Sequence, residues 1–235
     1  MPPSTTSAEE IHPSLWRASQ LARGRGRMVD TGYPALSTEL PGGGWPVGVL
    51  IDLLVQQPGV GEMRLLRPAL SALADRTVAL VQPPHIPDSL GLGYIGLSLD
   101  RLLQIKTPKA ADAFWSAEQI LRAGSCGALI LWGQHAQSSS LRRLHLAAQS
   151  SETLFMMVRP LTVAQDSSPA LLRLALRPAA EGLMVDIVKR RGPTRAEPLS
   201  ISLQPTPVLF SRHARLSRRP LAEVAARGVP TEVVI

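Results

Sequence analysis

The sequence contains little cysteine and few aromatic residues. Among its 235 residues there is one cysteine, Cys126, and aromatic residues make up 4%. A single thiol excludes an internal disulfide, and no cluster of cysteine and histidine has the spacing of a zinc site, so we predict no metal site. No apolar run approaches the roughly 20 residues that span a bilayer, and the first residues lack a signal-peptide pattern. We expect a cytoplasmic protein without membrane contact.

Acidic residues are outnumbered by basic ones, which gives the chain a formal charge of +7. Such an excess favours an acidic partner, and nucleic acid is the commonest one. The alternative is that the arginines form solvated surfaces without any partner.

The length allows one domain of ordinary size with extended ends. We predict a flexible basic N-terminal arm over residues 1–28, a folded domain over residues 29–205 and a flexible basic C-terminal tail over residues 206–235. Arginines are frequent in both ends, whereas apolar residues are sparse there, so neither end can bury much apolar surface.

Apolar runs alternate with helical patterns through the middle of the chain. The runs at 49–55, 77–82, 128–132 and 154–158 are typical of strands covered on both faces. Amphipathic helices are predicted around residues 113–121 and 141–148. This βαβ alternation predicts an α/β fold with a mainly parallel sheet flanked by helices. Three later runs, at 171–177, 183–189 and 199–203, have no helices between them and predict antiparallel strands at the sheet edge.

A glycine-containing turn follows the first of these strands, in the order strand, loop, helix that a phosphate-binding loop requires. A Walker loop ends in Gly-Lys-Ser/Thr, whereas Gly59 and Gly61 are followed here by Glu62 and Met63. A carboxylate at that place repels a triphosphate. Pro68 is tolerated only in a first helical turn, so we expect the helix to begin near residues 66–67, with its amides directed away from the loop. We predict a degenerate loop and no cofactor.

Other candidate chemistry is also missing. Trp132 stands at a strand end where a magnesium-binding aspartate is expected, and Gln82 precedes two prolines where a catalytic glutamate would project. His85, His135 and His145 are isolated in the sequence. The serines at 138–140 lack a nucleophile-elbow pattern and are expected to cap a helix. We therefore predict no catalytic residues and no enzymatic activity.

Several short blocks resemble the ImuA family, which is also described as SulA-like and belongs to the RecA superfamily. They are LWRA at 15–18, LPGGGWP at 40–46, GEMRLL at 61–66, PPH at 83–85 and WSAEQIL at 115–121. The stretch VKRRGPT at 188–194 looks like the basic loop between late strands in RecA-like proteins. The resemblance covers mainly residues 15–121.

The resemblance implies a RecA-like core and a non-catalytic accessory role in SOS-induced DNA repair, translesion synthesis and mutagenesis. Its implied partners are RecA, an ImuB-like homologue of Y-family polymerases and an error-prone DnaE-type polymerase. The alternatives are a SulA-like inhibitor of cell division that binds FtsZ, and an ATPase with an unconventional loop. Candidate contacts to DNA or to a partner are the basic residues Arg142, Arg143, Lys189, Arg190, Arg191, Arg195, Arg212, Arg215, Arg218 and Arg219.

Overall fold

The computed structural model describes residues 26–203, except Pro87, Ile95, Ser98, Thr194 and Ala196. The predicted C-terminal tail and nearly all of the predicted N-terminal arm, with Arg212, Arg215, Arg218 and Arg219, lie outside these residues.

An eight-stranded, mainly parallel sheet forms the centre of the described residues. The strands are β3 (Leu50–Val55), β4 (Thr77–Val81), β5 (Leu102–Ile105), β6 (Cys126–Trp132), β7 (Leu154–Pro160), β8 (Leu172–Ala179), β9 (Gly182–Lys189) and β10 (Leu199–Ser202). Their order in the sheet is β10-β9-β8-β3-β7-β6-β4-β5. A short antiparallel pair, β1 (Met28–Val29) and β2 (Trp45–Pro46), lies outside this sheet. The predicted α/β fold with a mainly parallel sheet is confirmed.

Helices cover both faces of the sheet. They are α1 (Pro34–Glu39), α2 (Glu62–Ala72), α3 (Ser89–Tyr94), α4 (Ala110–Ala123) and α5 (Ser138–Gln149). Leu36 of α1 and Leu66 of α2 share one apolar core with Leu53 of β3. On the other face, α4 packs against α5, and both contribute to a second core around Phe155 and Met157. Alternate residues of the central strands therefore supply two separate cores.

The prediction that all three late strands are antiparallel was wrong for the first of them. β8 pairs with β3 in parallel, and only β9 and β10 run antiparallel to their neighbours. The chain returns from β7 to β8 through a 3-10 turn, Leu161–Gln165. Because this crossover has no amphipathic helix, its sequence lacks the periodicity that signals a parallel return.

The helix cap predicted from the sequence is found for α4 but not for α5. Gly124 ends α4 in the left-handed conformation, at φ 61°, as a glycine C-cap should. The predicted serine caps of α5 were wrong. Gln137 is the N-cap without a side-chain cap bond, and the three serines form the first helical turn. Within the described range, no helix is long and apolar enough to cross a membrane.

Candidate functional site at the start of α2

The loop between β3 and α2 lies at the carboxyl end of a central strand, where ligands bind in open α/β sheets. Gly59 and Gly61 have φ angles of 91° and 125°, a region that favours glycine. A Cβ on Gly61 would lie 3.1 Å from Cδ1 of Leu203. The glycines are thus required by the path of the backbone and by the close approach of the segment after β10.

The carboxylate of Glu62 accepts hydrogen bonds from two backbone amide groups of this loop. Its Oε1 accepts the Gly59 amide hydrogen at 2.8 Å and its Oε2 accepts that of Gly61 at 3.2 Å. Glu62 is buried, and as the first residue of α2 its carboxylate also interacts favourably with the helix dipole. The protein's own carboxylate therefore takes the position that a bound anion would need.

The predicted start of α2 near residues 66–67 was wrong. The helix begins at Glu62 and contains Pro68 in its interior. Pro68 lacks an amide hydrogen for the carbonyl of Arg64, and the hydroxyl of Tyr33 donates to that carbonyl instead, at 3.1 Å. Gly32 accommodates the ring, since a Cβ there would lie 2.3 Å from Cβ of Pro68. The N-terminus of α2 therefore lies directly after the loop. The sequence had predicted a later helix start, with the helix amides directed away from the loop.

The strand ends next to the loop carry no acidic side chain. Trp132 closes β6, and Gln82 follows β4 in a left-handed conformation with φ 55°. The Gln82 side chain donates from Nε2 to the carbonyl of Thr107 at 2.6 Å and to its hydroxyl at 2.9 Å. It is therefore held by the segment that precedes α4.

The three histidines do not meet in a site. His85 and His135 are exposed. His145 lies on α5 near Gln149, and its pKa is lowered by burial and by the positive charge of Lys189. Among the described residues, no group of three or more histidine, cysteine or acidic side chains is arranged to hold a metal.

Two cavities flank the ends of these strands. The larger, of about 560 Å³, runs along the carboxyl ends of β3, β6 and β7 and is lined by Phe114, Trp132 and Arg159 among others. The smaller, of about 230 Å³, lies beside Glu62 and Met63. Trp132 contributes to both, so it forms part of the partition between them.

A buried ionic network spans three adjacent strands. Oδ2 of Asp52 on β3 accepts hydrogen bonds from Nη1 of Arg159 on β7 at 3.3 Å, from Nε of Arg173 on β8 at 3.0 Å and from Ser168 at 2.9 Å. Arg173 also donates to carbonyls of the 3-10 turn. This network was not predicted from the sequence. Its signal was a single acidic residue inside an otherwise apolar strand, which requires a buried partner.

Several of the candidate DNA-contacting residues make hydrogen bonds to other residues of the chain. Nη1 of Arg190 donates to Oε2 of Glu39 at 2.8 Å, and Nη1 of Arg195 donates to Oε1 at 2.6 Å. The hydrogen bond from Arg190, followed by that from Arg195, is the main reason that the pKa of Glu39 lies below its ordinary value. Lys189 donates to the carbonyl of Ser168 at 2.8 Å.

Arg142 and Arg143, two further candidate contacts, are both exposed. Arg143 is nevertheless ion-paired, since it donates together with Arg122 to the buried carboxylate of Glu118. Burial raises the pKa of Glu118, but the two guanidinium groups outweigh it and the pKa is lowered. Arg191, another candidate contact, is also exposed.

Comparison with known proteins gives a limited relationship. No protein-family model matches the chain. In sequence it is similar to the cell division inhibitor SulA of Edwardsiella piscicida, with 26% identity over 98 residues, which are 41% of this chain and 58% of that protein. This chain thus spans little more than half of that relative. Among solved structures it is similar to SulA from Pseudomonas aeruginosa, at 23% identity over 47% of this chain and 97% of that one, with a TM-score of 0.40. The chain is therefore similar in sequence to SulA over less than half of its length. Its own strands form a mainly parallel sheet flanked by helices.

Proposed function

We propose that this chain is a non-enzymatic accessory protein of the SOS response that acts by binding other proteins. The observation that carries the proposal is the carboxylate of Glu62, which accepts the amide hydrogens of Gly59 and Gly61. A nucleotide phosphate at this place would have to displace a buried anion and would meet no lysine from the loop.

This geometry supports a RecA-like core with a degenerate phosphate loop. β3, the loop and α2 keep the order of strand, glycine turn and helix, and β3 lies between parallel neighbours on both sides. The helix even starts directly after the loop, as in a functional phosphate site. The difference is that the loop amides donate hydrogen bonds to a side chain of the protein, where a functional site would have them donate to a phosphate.

Nucleotide binding tests this part of the proposal. A fluorescent ATP analogue with magnesium, titrated to about 1 mM, should show no saturable binding to the full chain, whereas RecA serves as the positive control. Saturable binding that a Gly61→Ala substitution abolishes would overturn the proposal and favour an ATPase with an unconventional loop.

The partners we propose are RecA and an ImuB-like polymerase homologue, within an assembly that includes a DnaE-type polymerase. Trp115 supports a protein-binding surface, because it is 59% exposed on α4 within the block that resembles the ImuA family. Exposed tryptophans are over-represented among residues that dominate binding energies.

Pull-down with purified RecA and with the ImuB-like homologue tests these partners. A Trp115→Ala variant should weaken capture, while Leu171→Ala, which also truncates an exposed apolar side chain, should leave capture unchanged. Capture of neither protein by the unsubstituted chain would contradict this role.

The second candidate is inhibition of cell division through FtsZ, which the sequence similarity to the cell division inhibitor SulA favours. Overexpression should then produce filamentous cells, and purified protein should lower FtsZ polymerisation. Normal division together with capture of the ImuB-like partner would select the mutagenesis role.

DNA contact remains a prediction for the exposed arginines. If Arg142 and Arg191 contact phosphates, affinity for duplex DNA should fall steeply as salt rises. A flat salt response would exclude such contacts.

A further inference from the structure

The larger cavity has the dimensions of a small-molecule site. Its volume of about 560 Å³ falls within the usual range for ligand pockets. Much of its wall is apolar or aromatic, with Phe114, Trp132 and Val158 among the lining residues, and several prolines complete it. It lies at the carboxyl ends of parallel strands, the edge of such sheets at which ligands bind.

Two side chains in this wall carry a buried N–H donor that has no partner among the described residues. Arg159 lines the cavity and is 3% exposed. Among the described residues its guanidinium makes one hydrogen bond, the 3.3 Å contact with Asp52, and its Nε has no partner. The indole nitrogen of Trp132 is also buried and unpartnered within the described part of the chain. Buried donors of this kind require acceptors.

The charges around Arg159 do not balance. Asp52 supplies one negative charge to two buried guanidinium groups, those of Arg159 and Arg173. Arg173 is further satisfied by the carbonyls of Val163, Ala164 and Asp166, whereas Arg159 has, among the described residues, only the shared carboxylate of Asp52. The second oxygen of that carboxylate, Oδ1, is buried without a hydrogen-bond partner in the described part of the chain. No acidic residue lines the cavity among the residues described. A buried charge without a partner is costly, and a bound anion would neutralise it.

We propose that this cavity binds a small aromatic monocarboxylate, with its carboxylate on the guanidinium of Arg159 and its ring against Trp132 and Phe114. One carboxylate brings the network of Asp52, Arg159 and Arg173 to neutrality, whereas a phosphate dianion would leave it negative. The planar guanidinium fork suits a carboxylate, and the aromatic walls suit a ring. Gln56 and Pro58 of the loop between β3 and α2 line this cavity, whereas Glu62 does not. The proposal does not depend on the proposed protein partners.

Calorimetric titration of the full chain with 2-naphthoate tests the proposal. Its neutral isostere 2-naphthamide and the dianion 2-naphthyl phosphate serve as matched ligands. We expect 2-naphthoate to bind at least about tenfold more tightly than either, since charge-assisted hydrogen bonds are roughly twice as strong as neutral ones. Equal binding of the amide, or no binding of the carboxylate at about 10 mM, would overturn the proposal.

Protein variants locate the site. Arg159→Gln should weaken 2-naphthoate binding at least about tenfold, and Arg159→Lys should weaken it less, because the charge remains without the fork. Arg142→Gln removes an equal charge from the exposed face of α5 and should leave binding unchanged. Ala110→Trp, at an exposed position of the lining, should block binding without altering the buried network, and so tests the site even if Arg159→Gln does not fold. Unchanged affinity in Ala110→Trp or in folded Arg159→Gln would reject this cavity as the site.

Discussion

The carboxylate of Glu62 accepts the backbone amide hydrogen of Gly59, three residues earlier, at 2.8 Å. Its second oxygen accepts the amide hydrogen of Gly61, so one side chain holds the whole turn. In a nucleotide-binding loop these amides would face phosphate oxygens. The loop of this chain is therefore closed by an internal anion, and its stability should depend on that carboxylate.

Replacing Glu62 by alanine should lower the free energy of unfolding by about 1 to 3 kcal/mol, because two backbone amide groups of the loop lose their charged acceptor. Glu62→Gln should cost less, since it keeps one acceptor oxygen. Urea denaturation measures both values. Asp75→Ala, at an exposed position, is the control, and an equal effect of Asp75→Ala and Glu62→Ala would contradict the role given to the carboxylate.

The bond from Tyr33 to the carbonyl of Arg64 should matter only because Pro68 is present. Tyr33→Phe should cost about 1 kcal/mol in the unsubstituted chain, the usual net contribution of one hydrogen bond. In a Pro68→Ala background the alanine amide can donate to Arg64, so the same substitution should cost close to nothing. A double-mutant cycle by urea denaturation measures this coupling. An equal cost in both backgrounds would show that the hydroxyl does not replace the missing amide.

Glu118 should make the stability of the chain dependent on pH in the acid range. Its pKa in the folded protein is lowered from 4.5, so its contribution is present above 4.5 and is lost as pH falls through the folded pKa. The difference in unfolding free energy between the unsubstituted chain and Glu118→Gln should therefore be largest near neutral pH and shrink on acidification. Glu181→Gln, at an exposed glutamate, should show no such trend. A difference that grows on acidification would contradict the assignment.

Asp52 should be among the most sensitive positions of the core. Asp52→Asn leaves two buried guanidinium groups without a negative partner, and breaking a buried ion pair in this way costs about 3 to 5 kcal/mol. Asp166→Asn alters an exposed carboxyl, while the backbone carbonyl of Asp166 that accepts from Arg173 remains. Thermal or urea denaturation compares the two, and similar stabilities would show that Asp52 is not needed to compensate the buried arginines.

The strands were predictable because apolar runs of strand length stand between turn residues, as in β3, β6 and β7. The start of α2 was not. A proline inside a helix is unfavourable by local rules, and the compensation comes from Tyr33, which is 31 residues away from Arg64 in sequence. Local propensity cannot reveal such a distant donor. The short α1 and α3 and the edge strand β5 were also missed, since elements of 6, 6 and 4 residues are too short to show a periodicity.

For the site, the sequence identified Glu62 and the missing lysine, because both are properties of a contiguous stretch. It could not identify Arg159 as a companion of Asp52, since their proximity follows from the pairing of β7 with β3. It also placed Arg190 and Arg195 among the candidate contacts to DNA or to a partner, whereas both donate to Glu39 on α1. Charge density along a sequence does not show which side chains are already paired.

The approach of Leu203 to Gly61 has a consequence for cooperativity. Arg64 on α2 also donates to the carbonyl of Leu203, so the loop is in contact with the segment that leaves β10. Local opening of the loop should then disturb the segment after β10, and we expect the two regions to unfold together. A turn that resembles a ligand loop in sequence is, in this chain, packed against the residue that follows the outermost strand.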